Sequence, residues 1–258
     1  AGYNVAADTL TADIAGDGAG YVSVSAANNA TFNNAVTAGN VSGSVDLEAT
    51  AGVLESAAAG DIAAGGDVEI DAGTAIDLEG DIGTVGTPIG GSILVGSNVA
   101  PSEWLVTEGT VIADDEIEMY SWGHIATSAA VDSQSDYVAM IARDGDIIVG
   151  DTLDAQDDID IETLRGFVRI DDNVTSDLGD IYVEAGGDID QTAGQILASA
   201  GGVGISAVGD VTVIDVVANA NNIAYTNPVT GAADTAAIKI DADGDVSVNA
   251  GGSALGLD

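Results

Sequence analysis

The chain has 258 residues, of which 43 are acidic and four basic, for a formal charge of −39. Such a charge repels phosphate backbones and anionic lipid, which argues against nucleic acid and membrane surfaces as partners. The acidity comes with a 46% hydrophobic fraction and a mean hydropathy of +0.28, so the low hydrophobicity of a disordered chain is missing.

In chain order, short apolar cores recur at Val22-Ser23-Val24, Val45-Asp46-Leu47, Ile76-Asp77-Leu78, Ile93-Leu94-Val95, Ile117-Glu118-Met119 and Val138-Ala139-Met140-Ile141. They continue at Ile159-Asp160-Ile161, Phe167-Val168-Arg169-Ile170, Ile196-Leu197-Ala198, Ile223-Ala224-Tyr225 and Ile238-Lys239-Ile240. Alternation of β-branched and polar residues reads as strands with one buried face. No stretch sustains a 3.6-residue period with caps, so helix is expected to be scarce. The stretches 88–104 and 219–234 read as loops leaving the main body.

Between the cores one phrase returns: Gly66-Asp67-Val68, Gly145-Asp146-Ile147, Gly179-Asp180-Ile181, Gly209-Asp210-Val211 and Gly244-Asp245-Val246. Gly-Asp is turn chemistry, glycine for positive φ and aspartate for bonds to nearby amides. The intervals Asp146–Asp180, Asp180–Asp210 and Asp210–Asp245 all lie in the thirties, which suggests coils of that length. Asp-Gly pairs at Asp17-Gly18, Asp144-Gly145 and Asp243-Gly244 are also hairpin signals. The expected fold is all-β, a β-solenoid (parallel β-helix) forming one elongated domain over 1–258, with a β-sandwich as runner-up.

Cysteine is absent and His124 is the one histidine, so zinc and copper chemistry is not expected. Hard cations suit the acidic turns instead, since Ca²⁺ takes six to eight oxygens. The candidate ligands are Asp154, Asp157 and Asp158, and Asp241, Asp243 and Asp245. The second set resembles the opening of an EF-hand loop, but Gly252 stands where the closing Glu belongs, so a simpler turn site is expected. Asn29, Asn40 and Asn173 each begin an Asn-x-Ser/Thr sequon. Gln156-Asp157-Asp158 and Gly123-His124 look like parts of a polygalacturonase signature, in reversed order and without its Arg-Ile-Lys segment. Catalysis is therefore not expected.

Gly60-Asp61-Ile62-Ala63-Ala64-Gly65-Gly66-Asp67-Val68-Glu69-Ile70 and Gly179-Asp180-Ile181-Tyr182-Val183-Glu184-Ala185-Gly186-Gly187-Asp188-Ile189 echo each other. They resemble the repeats of filamentous haemagglutinin-like adhesins, long right-handed β-helices on bacterial surfaces. That resemblance implies an exported structural protein, a subunit of a cell-surface filament, layer or adhesive fibre. The opening Ala1-Gly2-Tyr3-Asn4, without Met or leader, agrees with a cleaved export signal. No apolar run of spanning length occurs, so no membrane span is expected. The expected partners are further copies of the chain, joined by strand edges that include Tyr3-Asn4-Val5 and Ala254-Leu255-Gly256-Leu257, and cell-surface glycans. The alternative is a carbohydrate-binding or carbohydrate-cleaving β-helix, for which Trp104, Tyr120, Trp122 and Tyr137 are the cluster to examine. A third reading is a halophile's acidic protein that folds only in concentrated salt.

Overall fold

The computed structural model describes residues 5–7, 10–11, 20–39, 42–96, 101, 103–219, 223–226 and 233–249. Among them the chain forms strands and turns and no helix. One coil illustrates the plan. Ile117–Ser121 lies on a first face, His124–Thr127 on a second and Val131–Ser133 on a third, and Val138–Ala142 then returns to the first. Each strand pairs in parallel with its equivalent one coil on, for example Ile117 with Val138 and Val138 with Ile159. The chain is a parallel β-solenoid of about nine turns.

The first face stacks ten strands and the second eleven. The third consists of three strands and six strands joined through bridges from Ile62 to Ile82 and from Ile82 to Val111. Expected hairpins at Asp144-Gly145 and Asp243-Gly244 are corners between parallel faces, and Asp17-Gly18 lies outside the described residues. An antiparallel pair does occur at Ile223–Thr226 and Ala233–Ala236, inside the stretch expected to leave the stack. There the first face jumps from Val203 straight to Ile238. The stretch 88–104 is different, because its Ile93–Val95 is an ordinary strand of the first face.

The coil length corrects the sequence expectation. Pairing of Val22 with Val45, Val68 with Ile93 and Ile159 with Ile181 gives coils of 23, 25 and 22 residues, not thirty-odd. Asp146, Asp210 and Asp245 precede strands of the second face, whereas Asp180 precedes one of the first. Counting between them mixed two corners, and the last interval also contains the inserted hairpin.

Alternation decides what fills the interior. Val45, Val68, Ile93, Ile117, Val138, Ile159, Ile181 and Val203 form one inward column, with Leu47, Ile70, Val95, Met119, Met140, Ile161, Val183 and Ile205 beside it. Each is buried between like residues above and below, so aliphatic side chains fill these two columns, while Phe32 is buried elsewhere in the core. Hydroxyls close the strand ends: Thr163 Oγ1 donates to the Gly145 carbonyl and accepts the Gly166 amide.

The Gly-Asp phrase is a coil-to-coil clamp. Asp158 Oδ1 accepts the Asp180 amide at 2.7 Å, and Asp180 Oδ1 accepts the Gly202 amide at 2.7 Å. At another corner Asp188 Oδ1 accepts the Asp210 amide and Asp210 Oδ1 the Asp245 amide, both at 2.8 Å. Asn173 does the same for Gln195. The glycine before the aspartate answers to space rather than to positive φ. A Cβ on Gly145, before Asp146, would fall on the Gly123 carbonyl one coil back, and one on Gly166, the equivalent corner position one coil on, would fall on the Gly145 carbonyl oxygen. Among the described glycines, positive φ is confined to Gly83, Gly96 and Gly194.

Replacing Asp180 by Ala removes the acceptor of the Gly202 amide and is expected to lower stability by about 1 kcal/mol, while Asp180→Asn retains an oxygen there and most of the stability. Gly166→Ala is expected to cost more, roughly 1–3 kcal/mol, because two backbones must part. Urea melts of the three variants check the order.

Candidate functional site

Parallel in-register stacking turns isolated acidic residues into rows. On the third face Asp132 is the direct neighbour of Asp154 one coil on. The two line a shallow pocket of about 350 Å³ with Gln134, Gln156, Thr175 and Asp177. Burial, followed by repulsion from Asp154, holds the Asp132 carboxyl above its ordinary range, and a hydrogen bond from Gln134 opposes this. Asp154 is raised first by burial and then by Asp177 and Asp172, against a hydrogen bond from Thr175. A hydrolytic carboxyl pair needs surroundings that push its two members apart. Here burial raises both carboxyls in the same direction.

A second acidic group lies where the third face turns into the first. Asp115, Glu116 and Asp136 each bring a carboxylate oxygen within 4.8 Å of the others. Asp115 and Asp136 are 21 residues apart, the length of that coil, since Ile117 pairs with Val138. Asp136 Oδ1 already accepts the Tyr137 amide at 3.0 Å. Sequence reasoning missed this group because it used too long a period.

The six predicted ligands do not meet. Asp154 sits on the third face, while Asp157 and Asp158 occupy the next corner. There Asp158 is a clamp residue, and the Asp157 carbonyl accepts Ser176 Oγ. Burial and then the neighbouring Asp158 raise the Asp157 carboxyl. Asp241 lies on the first face beside Lys239, 3.4 Å from its Nζ. Asp243 and Asp245 form the following corner, where the Asp243 amide bonds to Ala207 and the Asp245 amide to Asp210. Asp241 and Asp243 share a groove of about 320 Å³ with Glu162 and Glu184, whereas Asp245 does not line it. Among the described residues, none of the six belongs to a group of three potential metal ligands.

The signature-like fragments also separate. His124 begins a strand of the second face, and Asp157-Asp158 lie between the third and first. Of the sequons, Asn29 and Asn173 use Oδ1 as coil clamps, and Asn40 lies outside the described residues.

The aromatic cluster divides. Tyr137 donates to Glu118 Oε1, and burial together with that bond raises its hydroxyl. Burial likewise raises Tyr120, beside Glu118. The two tryptophans are different: Trp104 is 41% exposed and Trp122 52% exposed. Arg143 stacks on Trp122, its guanidinium carbon 4.8 Å from the ring centroid. His124 pairs with Trp104 in register, and its Nδ1 accepts the Asp146 amide at 2.9 Å. The same nitrogen lies 3.2 Å from Asp146 Oδ2.

No known protein family matches the chain, nor does any curated protein or solved structure. Among the described residues, no helix is long and apolar enough to cross a membrane.

The raised carboxyls give a signed pH dependence. Asp132, Asp154, Asp157 and Asp160 all have folded values above their ordinary one, so the native state binds more protons than the unfolded chain just above that value. Their contribution to stability is largest when protonated and is lost as pH rises through the folded values. Melting temperature is expected to increase as pH falls from neutrality toward the ordinary aspartate range, through the raised folded values. Asp154→Asn, which keeps the shape, is expected to raise the melting temperature at pH 7 and flatten that slope.

Proposed function

We propose that this chain is a structural rod segment, exported to a cell surface, whose coils continue by end-to-end stacking into a filament, layer or adhesive fibre. The observation that carries this reading is the open layer at the last described coil. Val203, Ile205, Val211 and Val213 are fully buried, yet their stacking partners Ile238, Ile240 and Val248 are only half-buried, and Val246 is exposed. A further coil in the same register buries that layer and satisfies the unpaired strand edges. Chain beyond the described residues can supply such a coil, and in the reading proposed here a second copy supplies it. The repeats that resemble filamentous haemagglutinin-like adhesins support the same direction.

Divalent cations have a role in this reading. Three carboxylates at Asp115, Glu116 and Asp136 offer the hard oxygen donors that Ca²⁺ takes, and binding there offsets part of the charge that keeps rods apart. Added Ca²⁺ is expected to raise the melting temperature of the wild type relative to EGTA, and Asp136→Asn to shrink that difference. Equal melts in both buffers would count against a cation site.

Negative-stain imaging tests the assembly. The pure protein is expected to give rods longer than nine coils, increasingly so with concentration and salt. Uniform single particles under every condition would overturn the reading. Removal of residues 250–258, which lie outside the described residues, tests strand addition separately: unchanged filaments would rule out a contribution from that tail.

A further inference from the structure

The edge between the first and second faces carries a patch that the fold itself does not require. Over four consecutive coils it presents Trp104, then Trp122 and His124, then Arg143, then Arg165 and Phe167. These include both tryptophans of the chain, its one histidine and two of its four basic residues, with Arg169 on the adjoining strand. A solenoid core filled by Val, Ile and Ala has no use for them, and exposed aromatic area of this kind marks interaction sites.

We infer that this edge binds an uncharged polysaccharide, with the Trp104 and Trp122 rings as platforms for sugar faces. Three features select that ligand. First, the patch is close to neutral on a strongly acidic rod. Arg165 Nη1 lies 2.9 Å from Asp144 Oδ1 and Arg169 Nη2 lies 2.9 Å from Asp171 Oδ2, so two of its arginines are neutralised in place. A polyanion meets only the Arg143 charge there, and the surrounding carboxylates repel it. An uncharged glycan incurs no such penalty. Second, the platforms are rigid. Arg143 holds the Trp122 ring by stacking, and Trp104 stands on a strand locked to its neighbour at His124 and Leu105–Ile125. Ring surfaces that are ordered before binding lose little freedom on contact. Third, hydrogen-bonding groups suited to hydroxyls surround the rings. The exposed His124 imidazole and the carboxylates of Glu103, Asp144 and Asp146 lie at this edge, on or beside the residues that carry the rings. Coil spacing repeats these groups about every 4.8 Å along the rod, which suits a polymer lying parallel to the axis.

This inference is independent of end-to-end stacking, and the protein provides its own probe. Its only tryptophans are Trp104 and Trp122, so indole emission reports on this edge alone. The full chain is titrated with hydroxyethyl cellulose, galactomannan, soluble starch and glycol chitin, and run in native gels containing each polymer. Expected are a blue shift of emission, protection from acrylamide quenching, and retardation by at least one polymer. Trp104→Ala and Trp122→Ala are each expected to weaken retardation roughly three- to tenfold, with circular dichroism unchanged. Arg143→Lys, which keeps the charge but loses the planar stack, is expected to weaken it less. Three outcomes would overturn the proposal: no retardation and no emission change with any of the four polymers; stronger retardation by dextran sulfate; or a blue shift set by protein concentration alone. The last would make the edge an interface between copies.

Discussion

Everything in this structure depends on how closely one coil approaches the next at the corners. A carboxylate or carboxamide oxygen accepts the amide of its equivalent one coil on, from Asp67 to Ser92 near one end and from Asp210 to Asp245 near the other. The residue before it is repeatedly glycine, because a Cβ there would enter the backbone above or below. Sheet hydrogen bonds on three faces would tolerate a slip in register, but a corner clamp fixes it. Strand pairing, the columns of the core and the outward rows all follow from that fixed register.

Register has an electrostatic cost. Outward residues meet their own kind, so Glu162 lies beside Glu184, Asp46 beside Glu69 and Asp132 beside Asp154. Two carboxylates at such spacing repel by roughly 1 kcal/mol in bulk water and by more where partly buried. On open faces, water and salt screen the repulsion. In the third-face pocket they do so less well, and both carboxyls there respond by holding protons more tightly. The buried columns offset this cost, since every coil adds apolar side chains covered above and below.

The edge bearing Trp104, Trp122 and Arg143 departs from this pattern. Single large side chains such as Tyr21, Leu178 and Val208 are exposed elsewhere, whereas here two tryptophan rings stay in solvent beside guanidinium groups. Local stability does not account for it, because the core is complete without these rings. The half-buried layer at the last described coil and the exposed aromatic rings along one edge are the two features from which the proposals of assembly and adhesion start.

The sequence by itself determined the class of fold. Alternating Val and Ile with turn residues between them left little room for helix, and Gly-Asp marked the corners. What it could not determine was the coil length, because Asp146 and Asp180 look identical in sequence yet open strands on different faces. That ambiguity hid the candidate site as well. Asp115 and Asp136 are unremarkable until a 21-residue coil brings them together, and Asp154, close in sequence to Asp157 and Asp158, lies on the third face while those two lie at the corner after it. Alternation is a local property, readable from neighbouring residues, because it reflects which side of a strand meets water. Which carboxylates face each other is set by the number of residues needed to go once around, and only the closed coil defines that number.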